Sequence, residues 1–307
     1  MTTSEQGDIV GTRPRIALLG SIPADISTTL RQVFELIDQD TLPALPESQR
    51  KAITHGLTSA MGGVNHAMLE DLPSLNAIAS VGAGMDRFDL PWLSARGIAV
   101  HPTPDVMTED TAEFAVGLLF ALLRNIVSND GFVRRGAWSA GRAPLGYRIS
   151  GRKIGIVGLG RIGSRIAGKL AALGCEIAYS GPSRKDGPWR FEPDLAELAR
   201  QVDVLVLSCA GGEATRGIIN AEVLDRLGPQ GYLVNVSRGS VVDEAALIEA
   251  LERGAIAGAA LDVFENEPLP NPLFLTLPNC ILQPHASVFT RENRRDLAAA
   301  LERILRS

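Results

Sequence analysis

Three side chains far apart in the chain each follow an apolar run: Arg238 after Leu233-Val234-Asn235-Val236, Glu267 after Leu261-Asp262-Val263-Phe264, and His285 after Leu282-Gln283-Pro284. Such runs read as buried strands, and in an open α/β sheet ligands bind at the loops leaving the strands' carboxyl ends. A guanidinium binds a carboxylate, an imidazolium protonates a carbonyl oxygen as hydride arrives, and a neighbouring carboxylate favours the charged imidazole near neutral pH. Reversible reduction of a 2-keto acid requires that set. Singly, each residue also fits a surface or interface position; gathered at one sheet edge they point to catalysis.

Hydride needs a carrier, and Lys153-Ile154-Gly155-Ile156-Val157-Gly158-Leu159-Gly160-Arg161-Ile162-Gly163 supplies the place for one. A strand-like run leads into G-x-G-x-x-G and then into a helix expected over Arg161 to Leu173. Gly158 permits the tight turn, Gly160 lets the backbone approach a pyrophosphate, and Gly163 lets the helix pack on the strand. The helix start, Arg161-Ile162-Gly163, presents N–H groups and a positive dipole end to phosphate. An acid for the ribose 2′-hydroxyl of NAD is expected roughly twenty residues on. Here the next strand ends in Tyr179-Ser180-Gly181-Pro182-Ser183-Arg184-Lys185, with Gly181 at the place of the carboxylate. Ser183, Arg184 and Lys185 can hold a 2′-phosphate, which favours NADP and leaves NAD as the second choice.

The elements that must position these groups alternate. A strand at Arg15 to Leu19 precedes a helix capped by Ser27, with Leu30, Val33, Phe34 and Ile37 at helical spacing. A strand at Ala52 to Thr54, a helix near Ala67 to Leu72, a strand at Ala77 to Ser80, a helix at Leu90 to Arg96 and a strand at Ala99-Val100 follow. Pro102-Thr103-Pro104 is a stiff break before an apolar helix over Thr108 to Leu123, and Arg134 to Tyr147 reads as an irregular arm. The second series begins at Lys153, with strands at 176–180, 204–208, 232–236, 259–263 and 280–283 and helices at 195–200, 221–227 and 244–253. A last amphipathic helix, Arg291 to Leu305, is placed back on the first series. The fold class is therefore α/β with two doubly wound parallel sheets.

At 307 residues two domains are the natural expectation. A formal charge of −5, with no dense cluster of Lys and Arg, disfavours nucleic acid. The longest apolar stretch, Phe114 to Leu123, is too short to span a bilayer, and the polar start, Met1 to Thr12, reads as unstructured and lacks a signal-type apolar region. Cys175, Cys209 and Cys280 are odd in number and sit in apolar runs, as free thiols of a reducing compartment do, so a cytoplasmic location is expected. No C-x-x-C or His-rich spacing offers a metal site.

These motifs resemble the D-isomer-specific 2-hydroxyacid dehydrogenases over about Ala52 to Arg294. The resemblance is carried by Val157 to Gly163, Asn235-Val-Ser-Arg-Gly-Ser-Val-Val-Asp-Glu244, Leu261-Asp-Val-Phe-Glu-Asn-Glu-Pro268 and Pro284-His285. The segment Val133-Arg-Arg-Gly-Ala-Trp138 and the non-acidic turn after Tyr179 are most similar to glyoxylate/hydroxypyruvate and hydroxyphenylpyruvate reductases. The resemblance implies a Rossmann nucleotide-binding domain over 103–285 with a dimer arm at 131–149, and a smaller flavodoxin-like substrate domain over 1–102 and 286–307. It implies that Arg238 binds the substrate's carboxylate and keto oxygen, that His285 is the general acid/base, and that Glu267 is its partner. It further implies that Asp262 anchors the nicotinamide carboxamide, that the backbone of Ala83 and Gly84 holds the substrate carboxylate from the opposite domain, and that Trp138 reaches the partner's substrate pocket in a homodimer. Two departures stand out: Ala286-Ser287-Val288-Phe289 follows His285, which bears on substrate identity, and Cys209-Ala210-Gly211-Gly212 replaces the commoner Pro-Leu-Thr pattern, which implies a more mobile loop beside the nicotinamide ribose. The reading is an NADP-preferring reductase of small 2-keto acids to D-2-hydroxy acids; the alternatives are an NAD-dependent D-2-hydroxyacid dehydrogenase and a dinucleotide-sensing binding protein of corepressor type.

Overall fold

A computed structural model describes residues 13–307, so the polar opening segment expected to be unstructured lies outside the described residues. The chain forms two compact units, one from the residues up to Val106 together with Arg291–Ser307, the other over Met107–Thr290.

In the first unit, β1 (Arg15–Leu18), α1 (Ala24–Leu30), β2 (Glu35–Ile37), α2 (Glu47–Arg50), β3 (His55–Ser59), α3 (His66–Glu70), β4 (Ala77–Val81), α4 (Leu90–Ala95) and β5 (Ala99–Pro102) follow in order. The strands pair in parallel in the order β2-β1-β3-β4-β5, the flavodoxin-like winding. Two elements differ from the reading of the sequence. The helix expected to run on from Ser27 to Ile37 stops at Leu30; the chain turns at Phe34, whose N–H donates to Leu30 O at 2.9 Å, and continues as edge strand β2. Pairing decides this, since Glu35, Leu36 and Ile37 align with Arg15, Ile16 and Ala17, and Arg15 Nε donates to Glu35 at 2.8 Å. The strand expected at Ala52 to Thr54 is the approach to β3, which begins at His55 and lies between β1 and β4.

The second unit opens with α5 (Pro104–Leu123), whose start lies at the end of the first, and α6 (Ile126–Arg134). Then come β6 (Lys153–Val157), α7 (Arg161–Ala172), β7 (Glu176–Ser180), β8 (Arg190–Phe191), α8 (Leu195–Gln201), β9 (Val204–Leu207), α9 (Ala221–Leu227), β10 (Tyr232–Asn235), α10 (Glu244–Glu252), β11 (Gly258–Leu261) and β12 (Cys280–Leu282). The sheet order, β12-β11-β10-β9-β6-β7-β8, is all parallel and reverses beside β6, the dinucleotide-binding winding. Its two faces are covered by separate apolar layers. One holds Leu205, Leu207, Leu224, Leu233, Leu247 and Leu261; the other holds Leu119, Ile154, Ile156, Ile166, Val204 and Val234. The arm begins as α6, of which no residue is buried, and continues through a short turn at Ala137–Ser139. The two-residue β8 has no counterpart in the sequence reading.

The chain ends in α11 (Arg291–Leu305), which returns to the first unit and packs on α1 and β4 with Leu297, Leu301 and Leu305 buried. Among the described residues no single helix is long and apolar enough to cross a membrane.

Candidate active site and cofactor cradle

Because the seven strands run parallel, everything that follows their last residues lies along one edge. Gly158 follows β6, Ser183 to Lys185 follow β7, Cys209 follows β9, Arg238 follows β10, Asp262 follows β11 and His285 follows β12.

The catalytic candidates meet there. His285 Nδ1 lies 2.8 Å from Glu267 Oε2. A carboxylate only accepts, so Nδ1 carries the hydrogen and Nε2 is the ring nitrogen left for proton exchange. The Phe264 N–H donates to Glu267 Oε1 at 3.0 Å, which fixes the carboxylate's second oxygen. Burial pushes the Glu267 carboxyl up, but the hydrogen bonds from His285 and Phe264 and the nearby charges of His285 and Arg238 outweigh it, and it sits below the ordinary carboxylate range. The loop that carries Arg238 comes against Phe264 at Gly239.

Backbone geometry carries this arrangement. His285 has φ of 54°, in the left-handed region that a β-carbon disfavours. Asp262, fully buried, holds it there: its carbonyl accepts the His285 N–H at 2.8 Å, and its carboxylate accepts from the N–H of Ala286 at 2.7 Å and of Ser287 at 3.1 Å. Burial nevertheless pushes the Asp262 carboxyl up against the lowering effect of those bonds. Arg238 is braced by Asn235, whose side-chain amide donates to Arg238 O at 3.1 Å and whose carbonyl oxygen accepts the Ser237 N–H at 3.0 Å. A β-carbon on Gly239 would stand 1.9 Å from the carbonyl carbon of Phe264, so the loop carrying Arg238 touches the loop carrying Glu267 backbone to backbone. Asn235 and Gly239 were visible in the sequence only as members of a motif; their contacts depend on the pairing of β10 with β11.

The fingerprint residues form a cradle. Gly158 has φ of 93°, and a β-carbon there would meet Cys209 Cα at 2.5 Å. One on Gly163 would meet Gly158 O at 2.1 Å, whereas one on Gly160 meets nothing within 4 Å, so that position faces open space. α7 starts after Gly160, an N-cap residue with no side chain to cap the helix. By contrast Asp194, Asn220 and Asp243 cap α8, α9 and α10. A helix that starts after a glycine cap, with open space at that glycine, fits a pyrophosphate. Ser183, Arg184 and Lys185 are exposed at the end of β7, with the Arg184 guanidinium 5.7 Å above the Phe191 ring.

Other expected residues lie elsewhere. Ala83 and Gly84 follow β4 in the first unit, where the preceding Gly82 donates its N–H to Thr103 Oγ1 at 3.0 Å. Trp138 lies on the arm and is 68% exposed. Phe289 is exposed; a β-carbon on Gly211 would lie 2.8 Å from Arg238 Cγ, so the glycine loop leans on the arginine's stem.

The family model for the D-isomer specific 2-hydroxyacid dehydrogenase NAD binding domain matches residues 116–287. The chain belongs to the D-isomer-specific 2-hydroxyacid dehydrogenases. Like its relatives, it is an NAD(P)-dependent oxidoreductase. It is 46% identical over 245 residues to a 2-ketogluconate reductase of Gluconobacter oxydans, covering 79% of each chain. It is 41% identical over 278 residues to a glyoxylate/hydroxypyruvate reductase A of Arabidopsis thaliana, covering 89% of this chain and 88% of that one. Among solved structures it is similar to the NADPH-dependent glyoxylate/hydroxypyruvate reductase of Sinorhizobium meliloti in complex with NADP and malonate, at 38% identity and a TM-score of 0.85, over 94% of this chain and 92% of that one.

Proposed function

We propose that the protein is an NADP-preferring reductase of small 2-keto acids, of the glyoxylate/hydroxypyruvate type, giving D-2-hydroxy acids. The observation that carries this reading is the His285–Glu267 pair at 2.8 Å with Arg238 beside it at the carboxyl edge of the nucleotide-binding sheet. The bound reduced nicotinamide supplies the hydride. Arg238 holds the substrate's carboxylate and polarises its keto oxygen by charge-assisted hydrogen bonds. His285, oriented through Nδ1 by Glu267, gives a proton from Nε2 to that oxygen as the hydride adds, and in the reverse direction takes it back. Glu267, held below the ordinary carboxylate range, stays ionised beside the imidazole and fixes its orientation through Nδ1.

The cofactor is held by the N–H groups of Arg161, Ile162 and Gly163 at the start of α7, with Gly158 and Gly160 shaping the turn. The absence of a carboxylate at Gly181 and the presence of Ser183, Arg184 and Lys185 support NADP. Resemblance alone supports Ala83, Gly84 and Trp138 as substrate contacts and Asp262 as a cofactor contact. A homodimer built on the arm is part of the same reading, as is a cytoplasmic location. The intact trio favours turnover over a dinucleotide sensor. The test is a panel of glyoxylate, hydroxypyruvate, pyruvate, hydroxyphenylpyruvate and 2-ketogluconate with NADPH and NADH: oxidation of NADPH with one of the first two at the highest kcat/KM is expected. No keto-acid-dependent oxidation of either cofactor would overturn the reading.

A further inference from the structure

Tyr179 lies in the chain between the glycine fingerprint and the basic turn and belongs to neither. It is the fourth residue of β7, 1% exposed, with its ring packed among Ile154, Ile156 and Ile177 in the apolar layer beneath α7. Packing alone would be served by phenylalanine, because a buried hydroxyl is unfavourable unless it is bonded. The Tyr179 hydroxyl is bonded, and not to the core. It accepts the Lys185 N–H at 2.6 Å and donates to Lys185 O at 3.2 Å. The side chain thus closes a loop from Tyr179 to Lys185, with Gly181, Pro182, Ser183 and Arg184 inside it.

That loop is the basic turn. Ser183, Arg184 and Lys185 are all exposed, so their own packing does little to fix them. Two aromatic residues take over that task. The hydroxyl pins the backbone at the far end of the turn, and the Tyr179 ring meets Phe191 with centroids 5.2 Å apart. Phe191 lies in β8, paired with Tyr179, and the Arg184 guanidinium sits over its ring. The short edge strand therefore places a ring under the arginine while the tyrosine holds the backbone from which the arginine projects. A fork of donors fixed before binding loses less freedom when a phosphate arrives than a free one does.

We propose that Tyr179 is the positioning residue for cofactor choice, its hydroxyl holding the Ser183–Lys185 turn ready for a 2′-phosphate on the adenosine ribose. This rests on the reading of that turn as the 2′-phosphate site and adds the part that makes it selective. The hydroxyl touches no ligand in this account. Its effect reaches the phosphate through the backbone of Lys185 and the seat of Arg184.

The test separates the 2′-phosphate from the rest of the cofactor by calorimetric titration of the full-length protein with 2′,5′-ADP, 5′-AMP, NADPH and NADH. Tyr179→Phe keeps the ring and removes only the hydroxyl. It should weaken 2′,5′-ADP and NADPH by roughly threefold to tenfold, the scale of one lost hydrogen bond. Binding of 5′-AMP and NADH should stay at the wild-type level. Phe191→Leu, which removes the ring under Arg184, should weaken the same two ligands and spare the same two. Wild-type binding of 2′,5′-ADP by Tyr179→Phe overturns the proposal, and so does equal weakening of 2′,5′-ADP and 5′-AMP, which is what general loosening of β7 would give. Arg184→Ala separates the role of the tyrosine from that of the turn. If it weakens 2′,5′-ADP while Tyr179→Phe does not, only the role of the tyrosine falls. If wild type holds 2′,5′-ADP no better than 5′-AMP and Arg184→Ala changes neither, the turn is not a 2′-phosphate site and both fall.

Discussion

His285 combines a chemical role with an unfavourable backbone, and the two can be separated by mutation. In His285→Ala the proton donor is gone while the cradle at Gly158 to Gly163, on other strands, is untouched. We expect kcat to fall by roughly 100-fold or more with NADPH affinity near wild type, read by steady-state kinetics and fluorescence titration. Glu267 and Asp262 flank this histidine with opposite electrostatics. Glu267 sits below the ordinary carboxylate value of 4.5, so its ionised form is favoured by folding. A carboxylate with a depressed folded pKa adds stability that is present above its unfolded pKa and is lost as pH falls through the folded value. Glu267→Gln should therefore lower stability by about 1–3 kcal/mol at pH 7, and by progressively less below about pH 4, in melts followed by circular dichroism. Asp262 is shifted the other way by burial, so its ionised form opposes folding at neutral pH even as its oxygens hold Ala286 and Ser287. The contrast places electrostatic orientation of the imidazole with Glu267 and backbone restraint with Asp262.

At the scale of elements, the turn between β6 and α7 offers a comparison of two glycines. A β-carbon at Gly163 would press on Gly158 O at 2.1 Å, so Gly163→Ala should destabilise the unit by about 1–3 kcal/mol or more. Gly160→Ala meets nothing within 4 Å, so its melting temperature should stay near wild type while its affinity for either cofactor falls at least about tenfold, because the methyl occupies the path of the pyrophosphate. Calorimetry and titration on the pair read both halves; unchanged affinity in Gly160→Ala would remove that glycine from the cradle. The second unit was legible in the sequence because its central strands are largely apolar runs and its turns carry glycine, asparagine or aspartate. The first unit was less so. β3 reads His-Gly-Leu-Thr-Ser, with a glycine as its second residue where a β-carbon would meet Leu19 Cδ1 at 2.4 Å, and close packing of that kind has no signature in periodicity. In α1 and β2 apolar residues kept a helical spacing across a turn, and only the partner strand decided where the helix stopped. The Tyr179 hydroxyl and β8 were hidden for the same reason, since a bond to Lys185 and a pairing with Phe191 exist only once the chain has folded.

Among the described residues the arm carries a series of exposed apolar side chains. Ile126, Val127, Val133 and Trp138 are exposed, and Leu145 is 94% so. An exposed apolar series of this kind marks an interaction surface, and a second copy is the occupant proposed for it. Wild type should sediment as a dimer, and Trp138→Ala should weaken that dimer or raise KM for bulky keto acids while cofactor binding is spared; a wild-type monomer with full activity at dilute concentration would leave the arm without a partner. A different consequence follows from α11. The second unit is one continuous stretch, Met107–Thr290, whereas the first takes its last helix from the end of the chain. During synthesis the nucleotide-binding unit is thus fully made before the first unit possesses the helix that buries Leu297 and Leu301 against it. The half translated first is completed last. A chain halted after Thr290 should retain a 2′,5′-ADP site on a folded second unit while leaving the five-stranded sheet uncovered where α11 packs, a state in which protease cuts fall before Val106 and spare the residues beyond it.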